Sequence, residues 1–328
     1  MVPLLITIGV LLAVVTLLNL KTSRPDGDYL GKIHPYRKLM MHIMPTRNES
    51  VVYYDTYARV DQLEAYLEAV NKRFHADVTH LLVACIAVAF KQSPSMNRFV
   101  VGRRLYQRRS LWLTFSMKRE KLNRKAKLSA VKRRIDDNET FYGMCKALND
   151  SIAVERSDKK TYLDKELGLL ARVPRPVLRV GVALLKKLDY YGLLPGSFIK
   201  NDAMYTSCFI ANLGSLGMKA GFHHLYEWGT SPLFAMVGRA EERALVEDGK
   251  VVIRKVLPLR FSYDERIDDG LNAGYGIKAA VDTIENPFKM LGCLAADGSD
   301  DFPLGAPPDG SGVSQDDALL AKKSLATS

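Results

Sequence analysis

The sequence predicts an α+β domain held behind one transmembrane helix, and three observations predict it. Val2 to Leu20 is nineteen residues without a charge. Beyond it, strand-like runs such as Val51 to Val60 alternate with stretches whose apolar residues recur at helical spacing, such as Asp61 to Phe74. The 328 residues are 47% hydrophobic, enough for one large core or two modest ones and too apolar for a chain disordered throughout.

As a helix, Val2 to Leu20 is about 28 Å long, close to a hydrocarbon thickness of about 30 Å. A cleaved signal peptide is the rival reading, but no Lys or Arg precedes the run and no A-x-A-like site follows it. Lys21, Arg24, Lys32, Arg37 and Lys38 follow, so the positive-inside rule places the body in the cytoplasm. Residues 1–20 are thus expected to be a single-pass anchor in membrane lipid. Residues 21–31, with Pro25 and Gly27, are expected as a polar linker and residues 32–294 as the folded body.

In the helix at 61–74, Leu63, Leu67, Val70 and Phe74 share one face. Asp77 or Thr79 can cap the next helix, His80 to Gln92, which is apolar nearly all round and so should be buried; His80 in its first turn reads as structural. Pro94 ends it. Strands are expected at about Phe99 to Gln107, Leu111 to Met117 and Ala126 to Ile135, then a helix at Thr140 to Val154. Pro176 suits the first turn of a helix running to Tyr191, inside an insertion at about 164–198. Apolar residues cover more than half of it, leaving a stripe with Arg179, Lys186 and Lys187. Such a helix could lie in a membrane interface, lid a site, or pack on a neighbouring subunit, the last being the usual use of an apolar stripe. Leu233 to Gly238 and Lys250 to Pro258 read as strands, with Asp248-Gly249 as a turn, and Val256 to Tyr263 as a strand feeding a helix from Leu271 to Glu285. Residues 295–328 are rich in Gly, Pro, Ser and Asp and are expected as a disordered tail.

The net charge of +11 is concentrated between Arg98 and Arg134, where fourteen Lys or Arg stand against Glu120 alone. A solvated strand face, coenzyme A phosphates or an anionic membrane surface would suit such a block. With no nucleic-acid fold signature, nucleic acid is not expected as a partner. Cys85, Cys145, Cys208 and Cys293 show no C-x-x-C spacing, so neither a disulfide framework nor a metal site is expected.

Chemistry concentrates at the strand-to-helix corner Asp264-Glu265-Arg266-Ile267-Asp268-Asp269-Gly270. It resembles the Asp-His-Arg-x-x-Asp-Gly motif of the chloramphenicol acetyltransferase-like superfamily, especially the catalytic domain of the 2-oxoacid dehydrogenase acyltransferases (E2). There the histidine is the general base; here Glu265 stands in its place. Thr206 to Gly214 resembles the family's "F-T-I-S-S/T-N-L-G" strand, with Ala211 where many E2 enzymes carry an oxyanion-binding Ser or Thr. Asn212 and Ser215 are the nearest replacement donors. The order helix, helix, Pro-x-x-Asn, strand, strand is similar too, and the resemblance runs from about Lys32 to Pro287.

The resemblance implies a mixed β-sheet packed by helices, a homotrimer with active sites between subunits, and an ion pair from Arg37 to Asp269. It also implies acyl transfer from a thioester, acyl-CoA first, with no permanently bound cofactor. Neither a lipoyl-type nor a subunit-binding domain is expected in the stretch before Lys32. An ordinary glutamate titrates near about 4.3 and a thiol near about 8.5, so Glu265 as base depends on its neighbours. His223 and His224 offer a second base, at most one facing a cleft because adjacent residues point apart. The leading expectation is a membrane-anchored acyltransferase. A catalytically inactive E2-like scaffold or ligand-binding protein is the alternative, and a lipid-binding module using the basic block a third.

Overall fold

The computed structural model describes residues 2–118, 128–156 and 172–306. The first helix, α1 (Val2–Leu20), buries no residue against the body. Its polar side chains look inward to its own backbone: Thr7, Thr16 and Asn19 donate to the carbonyls of Pro3, Leu12 and Val15, one turn back. Such self-satisfied polar groups suit an apolar solvent.

The body follows as β1 (Gly27–Tyr29), α2 (Pro35–Ile43), β2 (Val51–Arg59), α3 (Leu63–Asn71), α4 (Val78–Gln92), β3 (Arg98–Val101), β4 (Arg104–Arg108), β5 (Leu111–Lys118), β6 (Leu128–Ile135) and α5 (Phe141–Arg156). After residue 172 come α6 (Arg175–Tyr190), α7 (Gly196–Asn201), β7 (Cys208–Asn212), β8 (Leu233–Val237), β9 (Glu241–Glu247), β10 (Lys250–Asp264), α8 (Gly270–Glu285) and α9 (Pro287–Leu291). Seven strands make one sheet in the order β2-β10-β8-β7-β5-β6, with β9 paired to the first half of β10. It is mixed, since β7 runs parallel to both β5 and β8 while the other pairs are antiparallel. Strands β1, β4 and β3 form a small second sheet.

Alternation along the strands splits the large sheet into two faces. Leu113, Phe115, Cys208, Ile210, Leu233, Ala235, Leu259 and Phe261 face the layer of α4, α5 and α8, forming the main core. Phe209, Ala211, Phe234 and Met236 face the other way, under Leu225 and Tyr226 of the loop before β8. Helix α4 is central, and Asp77 caps it by accepting from the Thr79 and His80 amides. The His80 ring lies between Asp77 Oδ1 at 2.8 Å and Asn149 Oδ1 at 3.1 Å, a buried structural histidine.

Three expectations are corrected. The 21–31 stretch belongs to the folded body from Arg24 onward: Arg24 is buried against Asp26 and Asp189, and β1 pairs with β4. The run 99–107 is two strands, because Gly102 and Arg103, both at φ +59°, make a two-residue reversal. The expected tail packs as far as residue 306: Asp301 pairs with Arg73, Asp300 accepts from the Leu294 and Ala295 amides, and Leu304 is buried. Residues 307–328 and the segment 157–171, which holds the start of the expected insertion, lie outside the described residues.

The basic block is not one solvated face. Arg98 and Arg108 are buried, Arg109 pairs with Asp28, Arg133 with Glu139, and Lys132 donates to the carbonyls of Ile199 and Asp202. Residues 119–127 are not described.

Candidate active site

The motif corner is built where β10 ends against β2 and the segment before it. Asp264 is buried, and Arg266 grips it in a fork, Nε to Oδ1 at 2.8 Å and Nη2 to Oδ2 at 2.7 Å. Ser50 Oγ adds a third donor at 2.9 Å. Arg266 also donates to the Met44 carbonyl, and the Glu265 amide donates to Ser50 O, so the turn is stitched to residues 44–50. Asp269 caps α8 by accepting from the Asn272 amide at 2.9 Å, as an aspartate at a helix start should. Glu265 is half-buried, and among the described residues no hydrogen bond or ion pair reaches its carboxylate.

Arg37 does reach this corner, but not through Asp269. Its Nη2 lies 3.8 Å from Asp268 Oδ1, and its Nη1 donates to the carbonyls of Glu265 and Arg266. The expected Arg37–Asp269 pair is thereby corrected: Asp269 is spent on the helix cap while the preceding aspartate turns inward. Asp268 also accepts from the Asp269 amide and from Asn272, while its buried Oδ2 lacks a hydrogen-bond partner among the described residues.

His223 and His224 sit on the second face of the sheet. The His223 ring stacks on Phe234, centroids 4.2 Å apart, and its Nδ1 lies 2.6 Å from the His224 carbonyl. Neither histidine makes a hydrogen bond or ion pair to Glu265 among the described residues. No group of three metal-capable side chains occurs among those residues either.

The expected oxyanion donors lie elsewhere. Asn212 pairs with Val237, which pairs with Leu259, five residues before Asp264 on β10. That places Asn212 roughly 17 Å along the strand direction from the corner, with Ser215 in the turn just beyond the end of β7. Asn212 faces the helix layer, donating to Thr79 Oγ1, on the side opposite Ala211. It cannot occupy the position of the family's Ser or Thr at Ala211 within this strand. Ser215 is exposed, with its amide on Asn212 Oδ1 and its hydroxyl on the Asn212 carbonyl.

Sequence reading missed a cleft of about 250 Å³ beside the corner, whose walls include Arg47, Arg103, Lys186, Arg266, Tyr190 and Trp228. Arg47 is fully buried there, donating to the carbonyls of Tyr226 and Val100, and burial lowers its pKa from the ordinary arginine value. Nothing in Thr46-Arg47-Asn48-Glu49 distinguished it from a polar turn. Only the packing of distant segments makes it a wall.

The family model "2-oxoacid dehydrogenases acyltransferase (catalytic domain)" matches residues 196–292, a span holding both motifs. The dihydrolipoyllysine-residue succinyltransferase component of the 2-oxoglutarate dehydrogenase complex of Cupriavidus necator is 42% identical over 62 residues, 18% of this chain and 15% of that protein. The component of the same name from Rickettsia conorii is 31% identical over 144 residues, 42% of this chain and 30% of that protein. The chain thus spans less than a third of the length of either relative. In structure, a probable dihydrolipoamide acetyltransferase from Listeria monocytogenes superposes with a TM-score of 0.50 and 15% identity, over 79% of this chain and 95% of that one. In fold, and in the sequence of residues 196–292, this chain is therefore similar to the catalytic domain of the 2-oxoacid dehydrogenase acyltransferases.

Proposed function

We propose that the chain is a membrane-anchored acyltransferase that moves an acyl group from a thioester, acyl-CoA first, to an acceptor thiol or hydroxyl, with Glu265 as the base. The state of the corner carries this reading. Asp264, Asp268 and Asp269 are each committed to fixed donors, whereas the Glu265 carboxylate has no hydrogen bond or ion pair among the described residues. In the proposed step Glu265 takes the acceptor's proton as the acceptor oxygen or sulfur bonds to the thioester carbonyl carbon. Ser215 Oγ–H, turning away from the Asn212 carbonyl it now donates to, would donate to the oxyanion, with Asn212 Oδ1 holding the turn through the Ser215 amide. Collapse breaks the carbon–sulfur bond and returns the proton to the departing thiolate. Arg47, Arg103 and Lys186 in the neighbouring cleft suit a donor bearing phosphates.

Because Glu265 and Ser215 stand at opposite ends of the sheet, one protomer cannot bring them to one acyl group. A site between subunits can, and this supports the homotrimer implied by the resemblance. The β9–β10 hairpin offers a contact for it, since Val246, Val251 and Ile253 share one exposed face. The apolar α1 and its basic flank support a single-pass anchor with a cytoplasmic body.

Glu265→Gln keeps shape while removing the proton acceptor, so thioester turnover by the full chain should fall by about 10²- to 10⁴-fold with melting temperature and oligomer mass unchanged. A second reading is favoured by Ala211, which leaves the family's oxyanion position without a hydroxyl. Acyl-CoA binding without turnover in the parent would establish that inactive, ligand-binding form.

A further inference from the structure

We propose that α6 lies in the surface of the bilayer that α1 enters, its bare apolar stripe in the lipid and its basic residues against anionic headgroups. This rests on reading α1 as a membrane helix. Helix α6 has two apolar faces. Leu185 and Leu188 pack on Leu194, Ile199 and Tyr205. Val177, Val180 and Leu184, at i, i+3 and i+7, form a separate stripe and are 60%, 68% and 57% exposed. Arg175, Arg179 and Lys187 are also exposed, Lys186 lines the cleft beside the corner, and the helix's one acid, Asp189, is held by Arg24.

The place of α6 in the fold selects what covers the stripe. Lys21, the first residue after α1, donates to the Gly192 carbonyl at 2.9 Å, and Arg24 donates to the carbonyl and carboxylate of Asp189, both at 2.9 Å. Arg104 donates to the Asn19 carbonyl inside the last turn of α1, and Gly102, one hairpin turn away, leaves room for the Tyr190 carbonyl where a Cβ would collide with it. The end of α6 is therefore pinned to the point where the chain leaves the apolar helix. A soluble protein partner would have to cover a stripe that starts about 9 Å along the helix from that exit. An anionic bilayer already lies there, and an apolar stripe bordered by Lys187, with Arg175 and Arg179 on the opposite polar face, is what an interfacial helix presents to it.

The test uses the full chain in vesicles of phosphatidylcholine and phosphatidylserine. All four native cysteines are buried, so an environment-sensitive fluorophore can be directed to Leu11→Cys, Arg179→Cys or Val180→Cys. The expected result is quenching of the Leu11 probe by lipids labelled deep in the acyl chain, of the Val180 probe by lipids labelled near the headgroup, and of the Arg179 probe by aqueous iodide. Combining Arg175→Gln and Arg179→Gln should then shift the ratio of lipid-seated to free Val180 probe by about fivefold for each charge removed. A Leu11 probe quenched at depth beside an iodide-accessible Val180 probe would overturn the inference and leave the anchor intact. A Leu11 probe that no lipid quenches overturns the anchor reading and this inference with it. Shielding of Val180 that rises with the number of copies per vesicle would show that a second copy covers the stripe, which also overturns it.

Discussion

Arg266 holds Asp264 two residues back along its own chain, through two bonds of 2.8 and 2.7 Å, with both side chains almost wholly withdrawn from solvent. The motif turn is thereby closed on itself before any partner or substrate arrives. Replacing one side leaves the other as an uncompensated buried charge. Asp264→Asn should therefore lower stability by about 3 to 5 kcal/mol in denaturant unfolding. A loss below about 1 kcal/mol would show that the fork does not hold the corner.

Arg37 should couple to Asp268 and not to Asp269. A double-mutant cycle between Arg37→Met and Asp268→Asn is expected to give an interaction energy of about 0.5 to 3 kcal/mol. The cycle with Asp269→Asn should fall within about 0.5 kcal/mol of additivity, because Asp269 acts on the α8 cap. A larger coupling at Asp269 would reverse the assignment.

Sites between subunits make a distinct prediction for mixed oligomers. Glu265→Gln chains and Ser215→Ala chains, each nearly inactive alone, should recover part of the parental turnover when co-expressed, since some interfaces then pair an intact Glu265 with an intact Ser215. Mixtures no more active than their components would place the whole site in one protomer, against the separation along the sheet.

Lys132 predicts a pH dependence. Burial, with Arg108 nearby, pushes its ammonium down to about 7 from an ordinary 10.5. Between those values the unfolded chain binds the additional proton, so this residue makes stability rise as pH rises from about 7 towards 10.5. Lys132→Met should flatten that rise relative to the parent when unfolding free energies are compared across the window. An unchanged slope would show that the ammonium stays charged on its two carbonyls.

Much of the fold was legible in the sequence because local patterns and tertiary roles agree. The capped, all-round apolar α4, the strand leading to the corner and the helix after it stand where periodicity puts them. Other features had no local signal. Strand β1 is three residues long, too short to show a period. Whether Asn212 faces the helices or the second face depends on the register of β7 against β8 and against β5, the latter nearly a hundred residues earlier in sequence. The choice between Asp268 and Asp269 as the partner of Arg37 depends on which one begins α8, and adjacent aspartates look alike until the helix start is fixed. The role of Arg47 is likewise made by segments that meet only in the fold.

The buried Arg24 changes what kind of attachment the anchor is. Were residues 21–31 a free linker, their ends would drift roughly 18 Å apart and the body would tumble above the bilayer, presenting every side in turn. With Arg24 locked between Asp26 and Asp189, that freedom is gone. If α1 spans a bilayer as proposed, the body stands at a set angle, like a head on a stiff neck, with one side of it turned to the lipid. On that proposed reading a reaction partner in solution would meet only the opposite side, and orientation alone would divide acceptors into those arriving from the water and those arriving along the membrane.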